Sequence, residues 1–220
     1  MKKIAVLSTF VFFVLIVTAN IQAQTTEFSE AVGSGTGELS EFAKWRFSID
    51  ADRYEVSNNG RAKRTDGKKN VTNFRLPLAK NEMLSRTIYY VQYKNDLILL
   101  CEASNGESGR GLIVSFTSAT LKQKWQANIS GFNIGQGLIE NKFAYLTAIG
   151  FVAKINLATG KYIWKHGNLY NNGAFNFFDM PELDSSNVIF TESRGAEENS
   201  PNIIVVNKST GEIVRTVLGQ

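Results

Sequence analysis

After residue 43 the chain alternates short apolar runs with polar or glycine-bearing breaks. No long stretch keeps the i, i+3, i+4 spacing of an amphipathic helix, so the pattern predicts strands. Three groups of four strands stand out. The first holds Ile88–Tyr93, Leu97–Cys101, Leu112–Thr117 and Lys122–Ile129. The second holds Phe132–Ile139, Phe143–Ala148, Phe151–Asn156 and Lys161–Lys165. The third holds Ala174–Met180, Val188–Glu192, Asn202–Asn207 and Glu212–Leu218.

The groups are copies of one unit. Ala119-Thr120-Leu121-Lys122-Gln123-Lys124-Trp125 aligns with Ala158-Thr159-Gly160-Lys161-Tyr162-Ile163-Trp164 at an offset of 39. A third copy follows 51 residues later as Ser209-Thr210-Gly211-Glu212-Ile213-Val214-Arg215, with Arg215 at the tryptophan position. A period near 40 residues with four strands per unit is the signature of β-propeller blades. The Thr-Gly pair suits the turn between the third and fourth strands. Glycine accepts positive φ there, and the threonine hydroxyl bonds the turn backbone. The tryptophan offers an apolar face for packing between blades.

Residues 44–80 read as a degenerate first blade, with Asp66-Gly67 in place of Thr-Gly and Val71 in place of tryptophan. The expected organisation is therefore an all-β propeller domain over 44–218, small or partial. Its blades are 44–80, 87–129, 131–167 and 172–218. Residues 24–43, rich in Thr, Ser, Glu and Gly, read as a flexible lead-in.

The first 23 residues read as a cleaved signal peptide. Lys2 and Lys3 precede the apolar segment Ile4–Ala19, and Ala23 supplies the small residue before a cut at Gln24. This nearly continuous apolar segment of sixteen residues falls short of the ~20 that span a bilayer, so no stable membrane span is expected after cleavage. The formal charge of +4 includes those two lysines, and nucleic-acid binding is not implied. The single cysteine, Cys101, lies in an apolar run and reads as a buried hydrophobe.

The stretches AYLTAIGFVAKINLATGKYIWK, LIVSFTSATLKQKWQ and NIIVVNKSTGEIVRT resemble the PQQ-like, or quinoprotein-type, propeller repeat. The likeness covers about 87 to 218. It implies a propeller scaffold, and it raises two functional expectations. Quinoprotein dehydrogenases of this type hold pyrroloquinoline quinone in an eight-bladed ring, with a calcium site, a catalytic aspartate and often a vicinal cysteine pair. This chain has one cysteine and fewer blades, and no Asp-x-Asp-x-Asp-Gly loop follows Asp50 and Asp52. No cofactor, metal site or catalytic residue is expected. The second expectation follows from likeness to the propeller lipoproteins of the outer-membrane β-barrel assembly machine, although the anchoring cysteine is missing here. It is a periplasmic or secreted scaffold that binds envelope proteins.

Other chemistry is thin. His166 is the only histidine, which excludes multi-histidine zinc sites; it reads as an exposed strand-end side chain. Gly131-Phe132-Asn133-Ile134-Gly135-Gln136-Gly137 lacks the spacing and lysine of a phosphate loop. The loops joining second to third strands differ most between copies and should share one face. Arg110 and Arg194 in them are the expected partner contacts. The alternatives are a ligand-binding or quinoprotein-like enzyme module, a fragment of a larger propeller, and self-association that completes the ring.

Overall fold

The computed structural model describes residues 25–34, 43–170, 174–192 and 200–219. The signal peptide expected over 1–23 lies outside them. The described residues form strands without helices, so no helix among them is long and apolar enough to cross a membrane.

Three short strands come first: β1 (Thr25–Glu27), β2 (Ser29–Glu30) and β3 (Val32–Ser34). Four antiparallel meanders follow. The first is β4 (Lys44–Ile49), β5 (Asp52–Ser57), β6 (Arg61–Thr65) and β7 (Val71–Arg75). The second is β8 (Met83–Tyr93), β9 (Asp96–Ser104), β10 (Gly109–Thr117) and β11 (Gln123–Ile129). The third is β12 (Leu138–Glu140), β13 (Phe143–Ala148), β14 (Phe151–Asn156) and β15 (Lys161–His166). The fourth is β16 (Glu182–Leu183), β17 (Asn187–Thr191), β18 (Ile203–Asn207) and β19 (Ile213–Val217). This is the expected all-β array of blades, degenerate first blade included.

Two first strands are shorter than the sequence predicts. Of Phe132–Ile139 only Leu138 and Ile139 lie in β12, and Ala174–Met180 carries only isolated bridges, at Ala174 and between Phe178 and Glu192. Both stretches cross from one blade to the next, and their buried apolar residues, Ile134, Phe175 and Phe178 among them, join the inter-blade clusters instead of pairing in a ladder.

Three apolar clusters bind the four sheets in series. The first joins blades one and two around Trp45, Phe47, Leu99 and Val114. The second joins blades two and three around Ile98, Ile113, Leu146 and Ile155. The third joins blades three and four around Tyr145, Trp164, Phe190 and Val206. Strands buried on both faces, such as β9 and β13, read as continuous apolar runs for this reason.

The repeated turn sits inside these interfaces. In each of the last three blades a five-residue turn closes with the N–H of its last residue on the first carbonyl: Leu121 to Thr117, Gly160 to Asn156 and Gly211 to Asn207. That last residue has positive φ in every copy: 53° at Leu121, 68° at Gly160 and 79° at Gly211. The threonines accept from the backbone, Lys161 N–H to Thr159 at 3.3 Å and Glu212 N–H to Thr210 at 3.2 Å. The preceding blade's indole lies across the glycine. A Cβ built on Gly160 would stand 2.5 Å from the Trp125 ring, and one on Gly211 2.5 Å from Trp164. Each indole N–H then donates to a carbonyl of the same neighbouring blade, Trp125 to Leu157 at 3.0 Å and Trp164 to Lys208 at 3.2 Å.

The first interface departs from this rule, and the expected stand-ins are corrected. Val71 is 57% exposed and faces outward, so it does not take the tryptophan position. Phe74 faces the second blade and meets Phe116 edge-on at 5.1 Å. Asp66-Gly67 does not reproduce the Thr-Gly turn. Asp66 accepts from the N–H groups of Lys68 and Asn70, and Lys69 carries the positive φ.

Residues 25–34 are not a loose lead-in. β1 pairs with β12, β2 with β8 and β3 with β4, so one segment borders the first strands of three consecutive blades. Phe28 and Ala31, at the joints between its strands, are buried at 0% and 4% exposure. The Phe28 N–H donates to the Gly137 carbonyl at 3.2 Å, Ala31 donates to Ile88 at 2.8 Å, and the Gln136 amide donates to the Phe28 carbonyl at 2.6 Å. Gly137 makes room for the Phe28 ring, which a Cβ there would meet at 2.9 Å.

Two predictions follow from these contacts. Phe28→Ala should cost about 3–5 kcal/mol of unfolding free energy in urea, as for other buried aromatics. Gly160→Ala should cost about 2–4 kcal/mol, combining positive-φ strain with overpacking. In a Trp125→Ala background much of that cost should vanish, so a double-mutant cycle should give a coupling energy of at least about 1 kcal/mol. Additive effects would mean that the indole does not set the glycine.

Candidate interaction face

The turns between second and third strands, together with the blade-to-blade crossovers, make up one end of the array. The Ile149-Gly150 turn joins β13 to β14 and is the hub of this end. Ile149 N–H donates to the Phe132 carbonyl at 2.8 Å. Gly150 N–H donates to the Phe175 carbonyl at 2.8 Å, and the Gly150 carbonyl accepts from Leu169 N–H at 2.9 Å. Crossover 130–137 and the described stretches 167–170 and 174–180 are thereby fastened to a single dipeptide.

Three large aromatic rings project from these crossovers into solvent: Phe132 at 43% exposure, Tyr170 at 52% and Phe177 at 49%. The Arg86 guanidinium lies 6.0 Å from the centre of the Phe132 ring. Beneath them, two buried carboxylates hold the backbone. Glu102 accepts from Ile134 N–H at 2.8 Å, with Arg86 3.9 Å away. Glu192 accepts from Asn176 N–H at 3.0 Å and from the Asn202 amide. Burial pushes the Glu102 carboxyl above the usual range, against the pull of these hydrogen bonds and of Arg86. Rings on backbone fixed in this way lose little freedom on binding, which favours contact with a partner.

Of the two expected contact residues, Arg194 lies outside the described residues. Arg110 is at this end but is committed inward. It grips Glu82 through Nε and Nη2, both at 2.8 Å, and also donates to Asn128. Sequence reasoning missed Phe132, Tyr170 and Phe177, and placed two of them inside strands. The signal available was the Phe-Asn pair that recurs within both crossovers, Phe132-Asn133 and Phe175-Asn176; in the structure Asn133 and Phe175 have positive φ and so stand outside regular strand.

The remaining candidates are structural. The His166 ring is half-buried rather than exposed, and its Nε2 meets the Gly211 carbonyl at 2.6 Å, a second tie across the Trp164 interface. The Cys101 thiol is fully buried, and burial pushes it up to about 12. Lys154 donates to the Lys208 carbonyl at 2.7 Å, and Lys208 pairs with Glu140 at 2.7 Å. Burial lowers the Lys154 ammonium from its ordinary value.

The Glu82–Arg110 pair gives a pH prediction. The Arg110 hydrogen bond holds Glu82 below its ordinary value of 4.5. A carboxylate depressed in the fold stabilises above the unfolded value, and the contribution is lost as pH falls through the folded value. Arg110→Ala should cost about 1–3 kcal/mol at neutral pH. The difference from the parent should shrink as urea titrations move from pH 6 toward the depressed Glu82 value, and a constant gap would contradict the pairing.

No family model matches the chain, and no curated protein matches it. Solved structures do. BamB from Moraxella catarrhalis matches at 14% identity and a TM-score of 0.45, over 74% of this chain and 45% of that one. A europium-containing methanol dehydrogenase matches at 12% and 0.46, over 78% and 40%. The quinohemoprotein alcohol dehydrogenase ADHIIG from Pseudomonas putida HK5 matches at 12% and 0.48, over 79% and 34%. The chain spans less than half the length of each of these three.

Proposed function

We propose that this chain is an exported, non-catalytic scaffold that binds a protein partner through the crossover face. The observation that carries the reading is the trio Phe132, Tyr170 and Phe177, large rings left in water on backbone tied to Ile149-Gly150. Interfaces concentrate their binding energy in aromatic anchors, and grouped apolar exposure on one face marks a docking surface. The buried titratable groups nearby support the same reading, because Glu102 and Glu192 are occupied with backbone amides. Export is supported by the Lys2-Lys3 start, the apolar segment Ile4–Ala19 and Ala23.

The test compares the parent with Phe132→Ala, Tyr170→Ala, Phe177→Ala. Crosslinking in the native cell followed by affinity capture should recover a partner with the parent and lose it with the triple variant, each anchor contributing about 1–2 kcal/mol. The three side chains are half-exposed, so the melting temperature should shift little. A partner retained in full by the triple variant would refute this face as the docking site. An N-terminus at Met1 in protein recovered from the envelope would refute cleavage.

A further inference from the structure

The charge of the chain is unevenly placed. Residues 43–80, which contain the first blade, carry ten Lys and Arg against four Asp and Glu, while residues 81–220 carry twelve against twelve. Strand register then gathers the first blade's cations on one side. Trp45, Phe47, Tyr54, Val56 and Ala62 face the second blade. Alternation puts Lys44, Arg46, Arg53, Arg61, Lys63 and Arg75 on the opposite face.

A single carboxylate, Glu55, stands among these six cations, and it is shared by Lys44 at 3.5 Å, Arg46 at 3.1 Å and Lys63 at 3.3 Å. Arg53, Arg61 and Arg75 make no side-chain hydrogen bond or ion pair among the described residues. Arg61 and Arg75 are direct cross-strand partners, an arrangement that destabilises a sheet when the charges are alike. The other acids of this blade sit in or beside its turns and are partly engaged: Asp52, at the start of β5, lies 3.7 Å from Arg64, and Asp66 binds the Asn70 amide at 2.9 Å. Asp50 is an exposed turn residue.

We propose that this face docks on an anionic membrane surface and reads the phosphate groups of its lipids. Shape selects that partner among polyanions. The face is one side of a five-stranded sheet, about 20 Å across at the usual strand spacing. It exposes no aromatic ring on which bases could stack, as single-stranded nucleic acid would require. Among the described residues no helix or ribbon projects from it to enter a duplex groove. Its exposed apolar groups are Val32 and Val71, which suit shallow contact at an interface. Each basic side chain near an anionic leaflet contributes about 1 kcal/mol, roughly fivefold in affinity.

The test is co-sedimentation of the full chain with phosphatidylglycerol vesicles and with phosphatidylcholine vesicles. Binding should favour phosphatidylglycerol and weaken as salt rises past about 0.1 M, where screening reaches about 10 Å. Arg53→Gln, Arg61→Gln, Arg75→Gln should lose about a hundredfold or more in vesicle affinity with the melting temperature retained. The corresponding Arg→Lys triple variant should keep most of it. Parent and variants share every residue outside the three substituted positions, so the difference between them reads this face. Equal binding to both lipids, undiminished binding by the glutamine variant, or preference for heparin or duplex DNA over vesicles would each overturn the proposal.

Discussion

The fold depends on indole rings covering glycines in the next blade. A four-stranded sheet has two faces and cannot bury either by itself. Serial stacking solves this only if each interface closes without voids. Trp125 over Gly160 and Trp164 over Gly211 close two of the three interfaces, each with an indole N–H donated onward to a backbone carbonyl. The glycine therefore answers two demands, positive φ within its own turn and clearance for the neighbour's ring. The first interface tests this account, because the first blade offers no tryptophan there. The following blade carries Leu121 at the glycine position, at φ 53° and 4% exposure. The leucine side chain joins the apolar cluster between the first two blades. Its left-handed backbone is strained for a branched side chain, so its burial there outweighs the strain. What looks in sequence like a damaged repeat is a matched exchange across the interface.

Stacking leaves the inner strands of three blades with unpaired backbone groups, and open edges invite unwanted pairing. Residues 25–34 cover them. The segment needs few side chains for this, since most of its attachment is backbone hydrogen bonding, with Phe28 and Ala31 seated between strands. The two ends of the array then differ. The first blade presents charge outward, as terminal repeats do when they meet water. The fourth turns Ile189, Ile203 and Val205 away from the cluster it shares with the third.

This contrast explains what was legible in the sequence. Spacing of 39 and 51 gave the blades, and the Thr-Gly-Trp pattern gave both the turn and the interface, because those features live in side-chain identity at fixed offsets. Residues 24–43 read as a linker because Thr, Ser, Glu and Gly are what linkers contain, and composition does not record backbone pairing. Phe132 and Phe177 were assigned to strands because the runs around them are apolar. Strand-length apolarity cannot separate a residue in a ladder from one on a crossover. Val71 was mistaken for a tryptophan equivalent because counting from Asp66-Gly67 assumed a turn that Asp66 builds differently. Glu102 is not legible in the sequence, since a lone glutamate in a strand gives no hint that its carboxylate will be buried.

The buried carboxylates link the fold to the interaction face. Placing Glu102 out of water is costly, and its raised carboxyl reflects that cost. The compensation is local: amide donors from crossover 130–137 and a distant Arg86. Glu192 is placed likewise under crossover 167–180. A crossover secured only by apolar contacts could slide by a residue and turn its rings inward. A buried charge bound to a particular amide cannot be satisfied by a neighbouring register, so it fixes where Phe132 and Phe177 emerge. The same physics keeps Arg110 from meeting a partner, because its two bonds to Glu82 hold it in the second blade. Charge at this end therefore serves position, and the aromatic rings of Phe132, Tyr170 and Phe177 are left exposed. At the opposite side of the first blade the assignment is reversed. There the aromatic rings are buried as support and the cations face solvent, so the chain holds two surfaces of different chemistry rigidly apart on one stack of sheets.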